Sequence, residues 1–414
     1  MAVHFLHTSD WHLGQLFHNH ERTLEHEQFL TWLIEQIKIK QPHALLIAGD
    51  IFDVINPAAS AQKQLYQFLA DAHSVAPHMQ TLMIAGNHDS GYRIEQVEPL
   101  LAKYNAKAVG VIQRTEQNTL NLDHLLVPIY DHAQNIVAWC LALPYLRSAE
   151  ITGMNEHTTS HHNAIAYLHQ QLIAEAKARK QPDQALILMS HAHMQGGETS
   201  DSERPIVVGN EEAISTTLFD NVIDYVALGH LHKPQKVSQP HIRYSGSPIP
   251  LSFSERHYKH QVVEVKIAPE LKENSFSFEP LIIPRTVDLI RVSSDLSDLI
   301  ETLKNLPDGE IDDLSARHFI EIEYKTDAPP PVDLRQQIEQ ALPPNRYRLL
   351  RIARLYQKLD TQDQDHNSKI DLAPPTPESL FLRMWQKKGY SEDPAVKQDF
   401  LQLLNEAQEA LDQE

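Results

Sequence analysis

Ala44-Leu45-Leu46-Ile47-Ala48-Gly49-Asp50-Ile51-Phe52-Asp53 is an apolar run that stops at a glycine and a carboxylate, and endings of this kind recur along the chain. Val3 to Leu6 runs into Thr8-Ser9-Asp10-Trp11-His12, and Leu82 to Ala85 into Gly86-Asn87-His88-Asp89. Ala185 to Met189 closes on Ser190-His191, and Tyr225 to Leu228 on Gly229-His230-Leu231-His232. Each run reads as a strand. Ligands gather at the carboxyl ends of strands in open α/β sheets, so these endings are able to converge on one crevice. Leu30, Leu33, Ile34 and Ile37 keep helical spacing, as do Leu65, Phe68 and Leu69, and Ile165, Leu168, Leu172 and Ile173. Strand then helix, repeated from residue 1 to about 265, predicts an α/β core. From Lys107 to Leu146 the pattern changes, because Leu125 to Ile129 and Ile136 to Leu143 read as successive strands; a second, partly antiparallel sheet is expected there.

A chain of 414 residues exceeds one ordinary core, so two or three domains are expected. The lone Cys140 lies among apolar residues and permits no disulfide framework, which suggests a reducing compartment. Charged or imidazole groups interrupt every hydrophobic run short of a membrane span, and no basic leader precedes the first strand, so the expectation is a soluble cytoplasmic protein. The net charge of -19 opposes polyanionic partners at long range, unless bound cations or a local basic strip offset it.

Past Pro284 the texture differs. Val287 to Val292 and Phe319 to Tyr324 read as strands, and Leu296 to Leu306 and Val332 to Leu342 as helices, with the Pro329-Pro330-Pro331 run as a break: a small α+β module. Gln357 to Pro375 has linker composition. The expected organisation is a core over 1–280, the module over 281–356, a linker over 357–375 and a helical segment over 376–414. That last segment carries Leu380, Met384 and Trp385 on one helix and Phe400, Leu403, Leu404 and Leu411 on the next. Two short helices cannot bury such a face alone, so another chain or this chain's own core should cover it. No Walker-type loop is present, and any ATP chemistry must come from another subunit.

Oxygen and imidazole donors in this number suit a pair of divalent cations held by a shared carboxylate. Asp50 suits the bridging role. Asp10 and His12 point the same way beyond the first strand and, with His232, would complete one shell; Asn87, His191 and His230 would complete the other. His193 is an alternative to His191, which directly follows the strand. The donor set points to manganese, iron or zinc more than to magnesium. His88 is better placed to face a substrate, as acid or charge stabiliser, and Asp53 could accept the other N–H of that imidazole. His7 and Asp89 read as structural. Any single Asp-x-His is more often a capped turn; all five endings together are not.

His7-Thr8-Ser9-Asp10-Trp11-His12-Leu13-Gly14-Gln15, Ala48 to Asp53, Ala85 to Ser90, Ala227 to His232 and Tyr244-Ser245-Gly246-Ser247-Pro248 together resemble the calcineurin-like metallophosphoesterases, and within them the bacterial SbcD family of nuclease subunits. The resemblance implies two sheets packed between helices, a capping domain after the nuclease domain, and C-terminal helices that grip an SMC-like ATPase of the SbcC type. It also implies a manganese-dependent 3′ to 5′ double-strand exonuclease and single-strand or hairpin endonuclease on DNA, with two nuclease subunits pairing through helices near Glu25 to Trp32. Separately, Arg346, Arg348, Arg351, Arg354 and Lys358 form a strip without acids, expected either to contact phosphates or the ATPase or to be a solvated face.

Overall fold

The computed structural model describes residues 2–117, 119–147, 150, 161–203, 213–219, 223–271, 276–326 and 329–355, with 381, 385 and 396–400 near the C-terminus. The chain begins with β1 (Val3–Thr8), a two-residue hairpin of β2 (Leu16–Phe17) and β3 (His20–Glu21), helix α1 (Thr23–Lys40), β4 (Ala44–Ile47), helix α2 (Ala59–Val75), β5 (Gln80–Ile84) and β6 (Ala106–Val109). There follow β7 (Leu126–Tyr130), β8 (Ile136–Leu143), helix α3 (His161–Arg179), β9 (Ala185–His191), β10 (Tyr225–Gly229), β11 (Gln235–Val237), β12 (Gln239–Tyr244), β13 (Gln261–Ile267) and β14 (Phe276–Ile282).

These strands make two six-stranded sheets, ordered β14-β13-β1-β4-β5-β6 and β11-β12-β10-β9-β8-β7. In the first, β1, β4, β5 and β6 are parallel and β13 and β14 are joined to them by antiparallel pairing. In the second, β8, β9, β10 and β12 are parallel, with β7 and β11 antiparallel at the edges. Alternation of side chains divides the first sheet between two cores. Phe5, Leu46 and Ile84 pack with Tyr225, Ile187 and Cys140 between the sheets, and Leu141, Leu188 and Val226 on the other face of the second sheet belong to the same core as Leu168 and Leu172 of α3. Leu6, Leu45 and Met83 face the other way, against Leu33 and Ile37 of α1 and Leu65 and Phe68 of α2. The result is an α/β/β/α sandwich, as the family resemblance implies, built on the α/β core that the strand-helix alternation predicts. None of the described helices is long and apolar enough to cross a membrane.

The third sheet is built from β15 (Leu289–Asp295), β16 (His318–Lys325) and β17 (Tyr347–Leu355), all parallel, with crossover helices α4 (Leu296–Lys304) and α5 (Leu334–Ala341). One face packs Val292, Ile320 and Ile322 against Leu299, Leu303 and Ile338. The opposite face sets Leu289 and Phe319 against Phe17 and Phe253 of the sandwich. The first strand starts at Leu289 instead of Val287, and the second helix spans Leu334–Ala341 instead of Val332–Leu342, since Val332 is fully exposed after the proline run. The basic strip is a strand, and Arg348 is spent inside the fold. Arg348 stacks 3.8 Å from the Phe319 ring centroid and donates to the Arg317 and Ser315 carbonyls. Arg351 pairs with Glu321 at 3.1 Å, while Lys358 lies outside the described residues.

The chain divides into two compact units, 1–357 and 358–414. In the second, Phe381 stacks on Phe400 with ring centroids 4.2 Å apart and packs on Trp385; the linker over 357–375 and the rest of the helical segment lie outside the described residues. Within Glu25 to Trp32, Glu25, His26, Phe29 and Leu30 are buried in the chain's own core.

Arg22 joins the sandwich to the third sheet. Fully buried, it pairs with Glu25 (Nη2 to Oε1 2.6 Å), donates to Pro250 O at 3.0 Å, and lies over the Phe17 and Phe319 rings at 5.1 and 5.5 Å. Removing one partner of a buried ion pair strands the other charge, so Arg22→Ala is expected to lower unfolding stability by about 3–5 kcal/mol in chemical denaturation.

Candidate metal centre

Trp11 sets the first loop. Its ring is fully buried against Phe29 and Phe68, at 5.5 and 5.2 Å, and its indole N–H donates to Thr8 Oγ1. With Trp11 turned into the helix-side core, Asp10 and His12 on either side of it face the crevice. Both adopt left-handed backbone, at φ 55° and 48°, as does Asp50 at 48°; His230 sits at φ 107°. Carboxylate and imidazole residues reach this region more readily than most, and such strain gathers at functional sites.

Close approach of the loops demands glycine at the strand ends, Gly49 and Gly86 among them. A Cβ on Gly86 would lie 2.1 Å from Asp50 Oδ1, and one on Gly49, whose φ is 92°, would lie 2.2 Å from His191 Nδ1. The glycines that end the strands are therefore what lets the donors meet. Asp89 ties two loops together, since its carboxylate accepts from the backbone N–H groups of Ile51, Phe52 and Gly86 at 2.9 to 3.1 Å. His7 is fully buried between Tyr225 Oη and Leu228 O, away from the donor groups.

Among the described residues, three sets of side chains bring ligand atoms within 4.8 Å of one another: Asp10, His12 and His232; His12, Asp50 and His88; and Asp10, Asp50 and His191. Asp50 Oδ2 lies 3.6 Å from His12 Nε2 and 3.4 Å from His191 Nε2, between the two sets of donors. Asn87 Oδ1 is 3.0 Å from His191 Nε2 and 3.1 Å from His230 Nδ1. All seven expected donors thus come together, with His191 reaching Asp10 as well as the Asn87 side. His193 joins no such set among the described residues; its ring is half-buried, 6.3 Å from that of His230.

Several imidazoles are held by one nitrogen, leaving the other for a ligand. His191 Nδ1 donates to Ala48 O at 2.8 Å, and His12 Nδ1 faces Asp53 Oδ1 at 3.1 Å. Here the structure corrects the expectation from sequence: the Asp53 carboxylate orients His12, and His88 Nδ1 donates instead to the Asp53 carbonyl at 2.7 Å. Both imidazoles face Asp53, and spacing alone does not separate carboxylate from carbonyl. His88 N–H also donates to Asp50 Oδ1 at 2.8 Å. The brace on His232 has no counterpart among the sequence expectations. Fully buried Glu255 lies 3.2 Å from His232 Nδ1 and accepts from Ser202 and from Leu251 N–H, while Glu203 accepts from His232 N–H at 2.9 Å. No motif marks Glu255. By contrast the Ser245-Gly246-Ser247 motif has a visible role, because Ser245 Oγ lies 2.8 Å from Ser9 Oγ, which donates to Asp10 Oδ2.

The electrostatics fit a divalent cation. Two carboxylates, Asp10 and Asp50, are buried together at 0% and 2% exposure. Burial pushes Asp10 up; for Asp50 burial works the same way, but His191, His12 and His88 outweigh it and hold the carboxyl well below its usual range. Burial likewise opposes charge on His191 and His232, yet Asp50 raises the first and Glu255 the second, each to about 9. His12 Nε2 is buried with no hydrogen-bond partner among the described residues. An orphaned imidazole nitrogen beside two carboxylates, with neighbouring imidazoles that hold protons a metal would displace, is what a cation site requires.

Residues 3–234 match the sequence profile of the calcineurin-like phosphoesterases, and residues 285–389 match a profile described as the type 5 capsule protein repressor C-terminal domain. The chain is similar to the SbcD subunit of the nuclease SbcCD from Rhodobacter capsulatus, 36% identical over 297 residues that cover 70% of this chain and 71% of the relative. It is similar also to the SbcD subunit from Escherichia coli strain K12, 32% identical over 74% of each chain, and to that from Bacillus subtilis, 33% identical over 64% of this chain and 67% of the relative.

Imidazoles raised in the folded, metal-free protein contribute stability below pH 6.5 that is lost as pH rises through about 9, and over the same window their protons stop competing with a cation. Manganese binding should therefore tighten from pH 6.5 to 9 and release roughly two protons per chain near neutrality, read by calorimetry in buffers of different ionisation enthalpy. Gly86→Ala should displace Asp50 and lower the metal stoichiometry; full stoichiometry in that variant would contradict the close-approach argument.

Proposed function

The chain belongs to the calcineurin-like phosphoesterase family, and we propose that within it the chain is the metal-dependent nuclease subunit of an SbcCD-type complex. The observation that carries this reading is the convergence of donors from five strand ends around Asp50. We assign Asp10, His12 and His232 to one ion and Asn87, His191 and His230 to the other, with Asp50 shared. Manganese is the ion that this nitrogen and oxygen donor set suits best for phosphodiester hydrolysis. Bound divalent ions would supply Lewis-acid chemistry on a phosphodiester and on water.

The chain's own residues supply position and a proton. His88 is the most exposed imidazole of the three donor sets, and its Nδ1 is fixed on the Asp53 carbonyl, so Nε2 is the atom that meets substrate. Its role is to stabilise charge on the phosphoryl group or to protonate the leaving oxygen. Asp53 orients both His12 and His88, and Glu255 orients His232.

The substrate is DNA, cut as a 3′ to 5′ exonuclease on duplexes and an endonuclease on single strands and hairpins, in end processing, repair and recombination in the cytoplasm. Residues 1–280 form the nuclease domain, 281–356 the cap and, after the linker, 376–414 the helices that hold an SbcC-type ATPase, in a heterotetramer with two nuclease subunits. A small-molecule phosphodiesterase with the same centre is the weaker reading, because the relatives that share most of the chain are nucleases.

Asp50→Ala should abolish manganese-dependent cleavage of linear DNA. His88→Gln should keep both metals and lose about 10²- to 10⁴-fold in turnover, the usual worth of a positioned acid or base. Loss of metal from His88→Gln in a stoichiometry assay would make His88 a ligand instead.

A further inference from the structure

A chain with 36 Lys and Arg against 55 Asp and Glu needs a local positive surface to hold a polyanion. The Arg346 to Lys358 strip is only partly available for this, because Arg348 is buried on Phe319 and Arg351 pairs with Glu321. A second basic grouping lies elsewhere. Where the segment Arg256 to His260 enters β13, it meets Pro284, Arg285 and Thr286 on the path to the third sheet, and a cleft of about 290 Å³ opens between them.

Arg256, His257, Lys259 and Arg285 line this cleft, and the carboxylate among its lining residues, Glu25, is already paired with Arg22. Arg285 spans the cleft wall by donating to Tyr258 O and Arg256 O, with Asp288 4.0 Å away, and Arg256 donates to Phe253 O at 2.9 Å, which fixes both guanidinium groups at the cleft. His260, 4% exposed, also lines the cleft. Its Nδ1 bonds Ser247 O at 2.7 Å, and its buried Nε2 has no hydrogen-bond partner among the described residues. In the neutral ring this nitrogen accepts, so it suits a water that hydrates a phosphate. Two links tie the cleft to the metal centre: Glu255, which braces His232, immediately precedes Arg256, and Ser247, whose carbonyl accepts from His260, donates its own backbone N–H to His232 O at 3.2 Å.

We propose that this cleft is a backbone-binding subsite, in which Arg256, Lys259 and Arg285 hold phosphates of the DNA strand beside the metal centre. The proposal rests on the nuclease reading above and adds to it a place where an acidic protein grips DNA without reading its sequence. Phosphate contacts of this kind add to the salt dependence of binding, by close to one unit of log–log slope per contact.

The test uses the full chain, measuring affinity for a blunt DNA duplex against salt and turnover of bis-p-nitrophenyl phosphate with added manganese. R256Q with K259Q should lower affinity uniformly across sequences and reduce the slope by about 2, with turnover of the small diester unchanged. An unchanged slope overturns the proposal. A charge-keeping pair, R256K with K259R, should retain the wild-type slope; if it loses the slope as well, the effect is structural and the proposal falls. A wild-type chain that hydrolyses the small diester but neither binds nor cuts DNA would sink the nuclease reading itself, which is a different failure.

Discussion

The structure is organised around the burial of two like charges. Asp10 and Asp50 face one crevice almost without exposure, and two carboxylates so placed are tolerable only if positive charge lies between or beside them. His191, beside both carboxylates, and His232, beside Asp10, supply it, each held protonated by its carboxylate neighbours. Much else serves that arrangement. Gly49 and Gly86 let the loops touch, Asp89 locks two of them by their backbone N–H groups, and Trp11 anchors the first loop in the helix-side core.

Much of this is legible in the sequence because the fold concentrates chemistry at strand ends. An apolar run followed by a small residue and a donor is a local signal, and it survives in any reading of the chain. Ile136 to Leu143 is a strand to the residue, and the helices of the core are marked by their apolar spacing. What resists reading is long-range pairing. Glu255 acts on a residue 23 positions away, from a short helical turn with no periodicity of its own, and nothing in Ser252 to Arg256 announces a brace. Asp53 is legible but its partner is not, because the fold brings His12 to the carboxylate and His88 to the carbonyl. The arginines of β17 mislead for a related reason: Arg348 looks free in the sequence and is stacked on Phe319 in the fold.

The third sheet is tied to the sandwich by a mixed contact of rings and cations. Phe319 is sandwiched near Arg348 on one side and Arg22 on another, beside Phe17 and Phe253. Guanidinium groups over aromatic faces keep their packing while retaining charge, and Arg22 is further held by Glu25 and Pro250. The helix that carries Glu25 packs on the sheet that ends in Asp10 and Asp50, so one continuous run of contacts leads from the third sheet to the crevice.

The left-handed backbone at Asp10 and Asp50 restricts what can stand there. Asparagine has the same shape as aspartate and shares its tolerance of this conformation, whereas a β-branched side chain would strain the loop. A silent form of the protein, with its architecture kept and its charge removed, therefore lies one oxygen-to-nitrogen exchange away. Such a form would keep the crevice and its loops while losing the charge that a cation needs there.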